Sequence, residues 1–233
     1  MGKFTIIGTS HIAAESVREI KKFIDENKPD IVAVELDKKR FIALLTKKVS
    51  EKGGKGKRMY NIRRIGIKGY LFVILAAWGT KKLADLIGAK PGQDMMAAIA
   101  LAKKHKLQLA LIDQDIDRTL QRFSKYLSWR EGWHFIVDIF MAIFFRKREM
   151  GKLGIKHLDL RKVPPNELIK KLIMRVKIRY PNIYKVLVHE RNLYMARVLK
   201  LIIEKNPEKD VLAVVGAGHE DYLKKAISIG KKA

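Results

Sequence analysis

The chain has 233 residues, 48% of them hydrophobic, and carries 49 Lys and Arg against 24 Asp and Glu, a net charge of +25. That length and apolar content suit one domain with a sizeable core. The absence of cysteine excludes disulfides and thiolate-bound metal. The opening MGKFTIIGTSH has no long apolar stretch before a cleavage site, so a secretory leader is not expected and a cytoplasmic protein is.

Four short apolar runs predict buried strands: FTIIG (4–8), IVAVE (31–35), LALI (109–112) and VLAVVG (211–216). None alternates cleanly between apolar and polar, as expected of a parallel sheet covered on both faces. Helical patterns separate them. AESVREIKKFIDEN (14–27) puts Val17, Ile20 and Ile24 on one face and meets Pro29. Asp37 can cap a helix over 38–49. EKGGKGKR (51–58) reads as a basic loop, and YLFVILAAWG (70–79) as an apolar helix segment. After Pro91-Gly92, Asp94 can cap the next helix, which leaves His105 as a surface residue at its end. DIDRTLQRFSKYL (115–127) and GWHFIVDIFMAIFF (132–145) read as helices, the second apolar nearly all round. A further helix starts after Pro164. A long amphipathic one covers 181–206, with a stripe through Ile183, Leu187, Tyr194, Val198 and Leu201. His134, His157 and His189 read as structural. The expectation is an α/β fold with a mainly parallel sheet and flanking helices, one domain over 1–233 with basic helical insertions at 51–92 and 125–180.

Those two insertions hold most of the excess positive charge, so an anionic partner is expected. The apolar segments inside them are shorter than the roughly 20 residues of a membrane span. They suggest peripheral attachment to an anionic membrane surface, or a homodimer through 70–79 and 132–145. Nucleic acid is disfavoured, because aromatics are not interleaved with the basic runs. The Lys and Ile content with few Gln and Asn leans toward a thermophilic source.

Each predicted strand ends at a polar residue: His11 in GTSH, Glu35, Asp113 and His219 in GAGH. In a parallel sheet these carboxyl ends share one edge, where open α/β sheets bind ligands. The glycine before each histidine can let the backbone turn sharply and a ligand approach. Two imidazoles and a carboxylate suit a divalent ion, Mn²⁺, Co²⁺, Zn²⁺ or Fe²⁺, with positions left for water and substrate. Arg191, Arg40 and Arg122 are candidates to hold a developing oxyanion. Plainer readings stand beside these: Glu35, Asp113 and Asp115 as helix caps, and Glu190 with Arg191 as a structural ion pair.

GTSH, VAVELD followed by Arg40, ERN with Met195, GAGH and LIDQDIDRTLQR together resemble the TraB family, over roughly 4–48, 92–124 and 186–222. That family includes the pheromone-shutdown proteins and is similar to the Tiki membrane-tethered metalloproteases and the wider erythromycin esterase-like and ChaN-like group. The resemblance departs at Gln114, where the pattern carries arginine. It implies an α/β core and a divalent-metal-dependent hydrolase, most simply a peptidase. His11, Glu35 and His219 would hold the metal. Glu190 or Asp113 would move a proton, Arg191 would orient substrate or stabilise charge, and Arg40, Arg122 and Asn192 would contact a peptide or small-molecule substrate. The alternative is a protein that binds or sequesters a peptide without cleaving it.

Overall fold

The computed structural model describes residues 2–9, 14–46, 61–87, 92–144 and 166–229. His11, the 51–58 loop, His157 and Pro164 lie outside them. Four strands form one parallel sheet in the order β1-β4-β2-β3, with β1 at Phe4–Thr9, β2 at Ile31–Val34, β3 at Gln108–Leu111 and β4 at Val211–Gly216. The chain is thus α/β, as its apolar runs predicted. Every residue of β2 and β4 is buried, which is why those two runs show no polar alternation.

Alternate residues feed opposite faces. Ile7, Val32, Val34, Leu212 and Val214 pack on one side against Ile20 and Ile24 of α1 (Ala14–Asn27) and Met95, Ala98 and Ile99 of α4 (Gln93–Lys104). Ile6, Ala33, Ala213 and Val215 pack on the other against Met195 and Leu199 of α9 (Glu190–Lys205) and Leu223 and Ile227 of α10 (Ala217–Ile229). A third cluster stands apart from the sheet. There Phe123 of α5 (Ile116–Tyr126), Tyr180, Ile183 and Val186 form a buried cluster against which Phe72 of α3 (Ile67–Ile87), Phe135 of α6 (Trp129–Phe144) and Val176 of α7 (Asn166–Arg179) pack. Phe72 and Phe123 approach to 4.3 Å between ring centroids. No helix among the described residues is long and apolar enough to cross a membrane.

Helix starts follow local chemistry, with one correction. Asp37 caps α2 (Lys38–Thr46), accepting from the Lys39 and Arg40 amides at 2.8 and 3.2 Å. Asp115 caps α5, accepting from the Asp117 and Arg118 amides at 2.8 and 3.3 Å. Asp94 does not cap α4. Gly92 holds that position in the left-handed region at φ 77°, and Asp94 sits buried in the first turn, accepting from Thr9 Oγ1. His105 is not a plain surface residue either, since its Nε2 lies 2.9 Å from Asp25 Oδ1. Asp115→Ala should lower stability by about 1 kcal/mol in urea denaturation, the ordinary loss on removing a helix cap. A loss within error would mean that neither the cap bonds nor the Lys39 contact to Asp115 at 2.8 Å adds measurable stability.

The second correction concerns the long helix. Residues 181–205 run as α8 (Pro181–Tyr184), a π turn at Lys185–His189, and α9. A π turn adds a residue without adding a turn. Past it the buried face moves one position along the chain: Met195 and Leu199 are fully buried, while Tyr194 and Leu201, on the expected stripe, are exposed. The register entering the site is therefore set by the π turn, immediately before Glu190, Arg191 and Asn192.

Candidate functional site

The parallel registers assemble the site at the carboxyl edge. Thr9, at the end of β1, is paired with Gly216, the last residue of β4 before the helix that carries His219. Val34 is paired with both Val214 and Leu111, and Glu35 follows it. The pairing persists past the strands, with the Glu35 amide donating to Val214 O at 3.1 Å and the Asp113 amide to Leu36 O at 3.2 Å. Glu35 and Asp113 therefore stand just past the ends of neighbouring strands, one residue apart in register. Gly8 and Gly216 remain in the strands and are not turn glycines; positive φ occurs among the described glycines at Gly66 and Gly92. What Gly8 provides is room, because a Cβ there would lie 2.1 Å from Glu220 Oε2 on α10.

Arg191 joins the two carboxylates. Its Nε donates to Asp113 Oδ1 at 3.0 Å, its Nη2 to Asp113 Oδ2 at 2.7 Å and also to Glu35 Oε1, and its Nη1 to Leu187 O at 3.2 Å. Burial opposes the guanidinium charge, but Glu35 and then Asp113 outweigh it and hold its pKa above the ordinary arginine value. Arg40 completes the group, donating from Nη2 to Asp113 Oδ2 and from Nε to Asp37 Oδ2 at 2.5 Å. Asp113 Oδ1 also accepts from the Gln114 amide at 2.7 Å. The Asp113 side chain is 0% exposed and that of Glu35 4%. Gln114, where the resembled pattern carries arginine, donates to Thr119 Oγ1 at 3.0 Å.

His219 sits beside this lattice. Its Nδ1 lies 2.6 Å from Asn192 Oδ1 and its Nε2 3.4 Å from Glu35 Oε1. An amide oxygen only accepts, so Nδ1 carries a proton, and Nε2 is the ring nitrogen turned toward Glu35. The other Glu35 oxygen, Oε2, accepts from the Gly216 amide at 2.6 Å, which fixes the carboxylate on the strand beside it. The imidazole, its orienting amide, the carboxylate and the guanidinium thus come from β4–α10, α9 and the end of β2.

Of the residues singled out in the sequence, Glu35, Asp113, Arg191, Arg40, Asn192 and His219 meet here. His11 lies outside the described residues. Glu190 and Arg122 form a separate bidentate pair, Nε to Oε2 at 2.5 Å and Nη2 to Oε1 at 2.7 Å, so Glu190 is not the ion-pair partner of its neighbour Arg191. Neither Glu35 nor Asp113 is a helix cap. Asp94, read as a helix cap in the sequence, is instead a buried acid bonded to Thr9 at the end of β1, because Gly92 already supplies the helix start. Among the described residues no group of three or more His, Asp or Glu is placed to hold a metal ion.

Relatives carry the same chain pattern. An uncharacterized protein of Methanocaldococcus jannaschii is 36% identical over 94% of this chain and 53% of its own length. TraB domain-containing proteins of Mus musculus and Homo sapiens are each 24% identical over 94% of this chain and 61% of theirs. The chain thus spans between about half and three-fifths of the curated relatives it matches. The TraB/PrgY/gumN family model matches residues 2–220, from before β1 to just past His219, and with it every element that builds the site: the chain belongs to the TraB/PrgY/gumN family.

Proposed function

We propose that this chain is a divalent-metal-dependent hydrolase of peptide bonds, with His219, Glu35 and His11 as the residues that would hold the ion. One observation carries the reading: the imidazole of His219 is locked by Asn192 with Nε2 directed at a buried carboxylate 3.4 Å away. An imidazole nitrogen and a carboxylate oxygen at that separation can both reach one ion at about 2.1 Å. A hydrogen-bond acceptor on the far nitrogen, here the Asn192 oxygen, is the usual kind of support for a ligating histidine. The local charge suits a cation as well, since the three carboxylates of Glu35, Asp37 and Asp113 face the two guanidiniums of Arg40 and Arg191.

When bound, a divalent ion supplies a polarised carbonyl and a water acidic enough to ionise near neutral pH. The chain's own residues supply position and charge. Asn192 keeps the proton on Nδ1 of His219. The Gly216 amide anchors Oε2 of Glu35, and Oε1, which also accepts from Arg191, is the oxygen turned toward His219. Asp113 holds the Arg191 fork at Nε and Nη2, so its charge stands fixed beside Glu35, where an oxyanion can be met without reorganisation.

A second reading has one observation in its favour. Arg191 and Arg40 already neutralise Asp113 and Glu35 in large part, so the lattice is also suited to binding a peptide without cleaving it. Metal analysis separates the two. Protein purified without chelator or His-tag should carry near-stoichiometric Mn, Fe, Co or Zn by mass spectrometry and cleave members of a quenched-fluorescent peptide library. His11→Ala and His219→Ala should each lose both the metal and the cleavage. Intact peptide after long incubation, with measurable binding and no metal under any loading condition, would replace the hydrolase by the binding protein.

A further inference from the structure

All three tryptophans of the chain, Trp78, Trp129 and Trp133, stand on its surface at 46%, 81% and 68% exposure. A large aromatic ring is ordinarily well covered. Trp78 continues a stripe along α3 through Ile67, Leu71 and Ile74, all exposed. Trp129 and Trp133 lie one turn apart on α6 and line, with Leu71, Phe72 and Leu75, an apolar cleft of about 220 Å³. Lys68 Nζ lies 4.9 Å above the Trp129 ring, joining the two helices at the rim of that cleft.

The opposite side of α6 has the complementary chemistry. There Arg130, His134, Lys171, Arg175 and Arg179 line an open groove of about 880 Å³, edged by the exposed Met174 and Ile178 of α7. The acids within reach are engaged by the chain itself. Glu131 accepts from the Asn182 amide at 2.8 Å and side chain at 2.9 Å, and Asp138 takes a bidentate pair from Arg179 at 2.5 and 2.7 Å. One helix thus separates an apolar, tryptophan-edged cleft from a cationic groove.

We propose that α3, α6 and α7 dock the protein on an anionic lipid bilayer, with the tryptophans and Leu71 entering the interface and the groove cations meeting phosphate headgroups. Tryptophan is the side chain that prefers the interfacial depth of a bilayer, and Lys and Arg beside it add attraction to anionic lipid. Charge selects this occupant over a second copy of the chain. Each copy carries +25, and a two-fold contact through this face would set groove against groove. It also selects lipid over nucleic acid, because the groove itself is lined by no Phe, Tyr or Trp ring on which bases could stack and the tryptophans line the separate apolar cleft. The inference stands apart from the catalytic reading and uses none of its residues.

Vesicle flotation of the full chain tests it, with vesicles of phosphatidylcholine alone and of phosphatidylcholine mixed with phosphatidylglycerol. Binding is expected to the mixed vesicles, to weaken as salt rises, and to shift tryptophan emission to the blue. The double variant Trp129→Ala/Trp133→Ala alters exposed side chains and should fold normally; it should bind at least about tenfold more weakly. Arg130→Glu/Lys171→Glu should also weaken binding, with the tryptophans left in place. Three results would overturn the proposal. One is no binding to the mixed vesicles at low salt. Another is binding that the tryptophan changes leave untouched, as for nonspecific adsorption of a basic protein. The third is burial of the same tryptophans without lipid, either in a dimer seen by sedimentation equilibrium or by a single-stranded oligonucleotide.

Discussion

Arg191→Ala should lower the unfolding free energy by about 3–5 kcal/mol, the ordinary result of removing one partner from a buried ion group. The size follows from what the change leaves behind. Asp113 and Glu35 are almost wholly shielded from water, and Arg191 supplies Asp113 with bonds to both oxygens. Arg40 and the Gln114 amide still serve Asp113, which keeps the loss from running higher. Arg122→Ala is the internal comparison. It breaks a bidentate pair of similar geometry, but the Arg122 side chain is 36% exposed, so a loss of no more than about 1 kcal/mol is expected. Urea denaturation with an unchanged slope measures both. Arg191→Lys should recover only part of the difference, because an ammonium cannot span Nε and Nη2 positions as one planar fork. Equal losses for Arg191→Ala and Arg122→Ala would show that Arg191 is not what keeps the two carboxylates tolerable in the interior.

The lattice around Arg191 also shows where sequence reading stops. The strands were legible because a parallel sheet covered on both faces needs continuous apolar runs, and IVAV and VLAVVG have no other comfortable place. The site's location followed from the same runs, since parallel strands end at one edge. Partner choice did not follow. Glu190 and Arg191 are neighbours in sequence and read as a pair, yet successive helical positions point in different directions. Their side chains reach Arg122 on α5 in one case and Asp113 with Glu35 in the other. The π turn has no mark in KVLVH that periodicity can detect, although it moves the buried face of α9 by one residue and so decides which side chains enter the site. Asn192 entered the sequence reading as a substrate contact. Its geometry makes it the residue that orients His219, a relation carried by two helices joined through β4.

Glu35→Gln should have the largest effect on chemistry, lowering metal affinity at least about 100-fold and peptide turnover by about 10²–10⁴-fold. The substitution keeps the size of the side chain and removes an acceptor. If the amide oxygen stays on the Gly216 N–H, the NH₂ group faces Arg191 Nη2, a donor, and His219 Nε2. It would then donate to that imidazole lone pair and take from the site the electrons a metal ion needs. If the amide turns over, the Gly216 N–H is left facing a donor on a buried strand, which costs about 1–3 kcal/mol. The first orientation disables the pair of ligands, while the second leaves only a neutral amide oxygen in the site and also lowers stability. Asn192→Ala separates orientation from ligation. It leaves Glu35 and His219 in place but frees the ring, so metal affinity should fall about 10–100-fold. Metal titration of the three proteins, with turnover measured at saturating metal, gives the order wild type, Asn192→Ala, Glu35→Gln. Saturating metal should restore turnover to Asn192→Ala and not to Glu35→Gln, because one change loosens a ligand and the other removes a charge from the site. Wild-type metal content and turnover in Glu35→Gln would remove the carboxylate from the chemistry and leave the lattice as the support of a binding site.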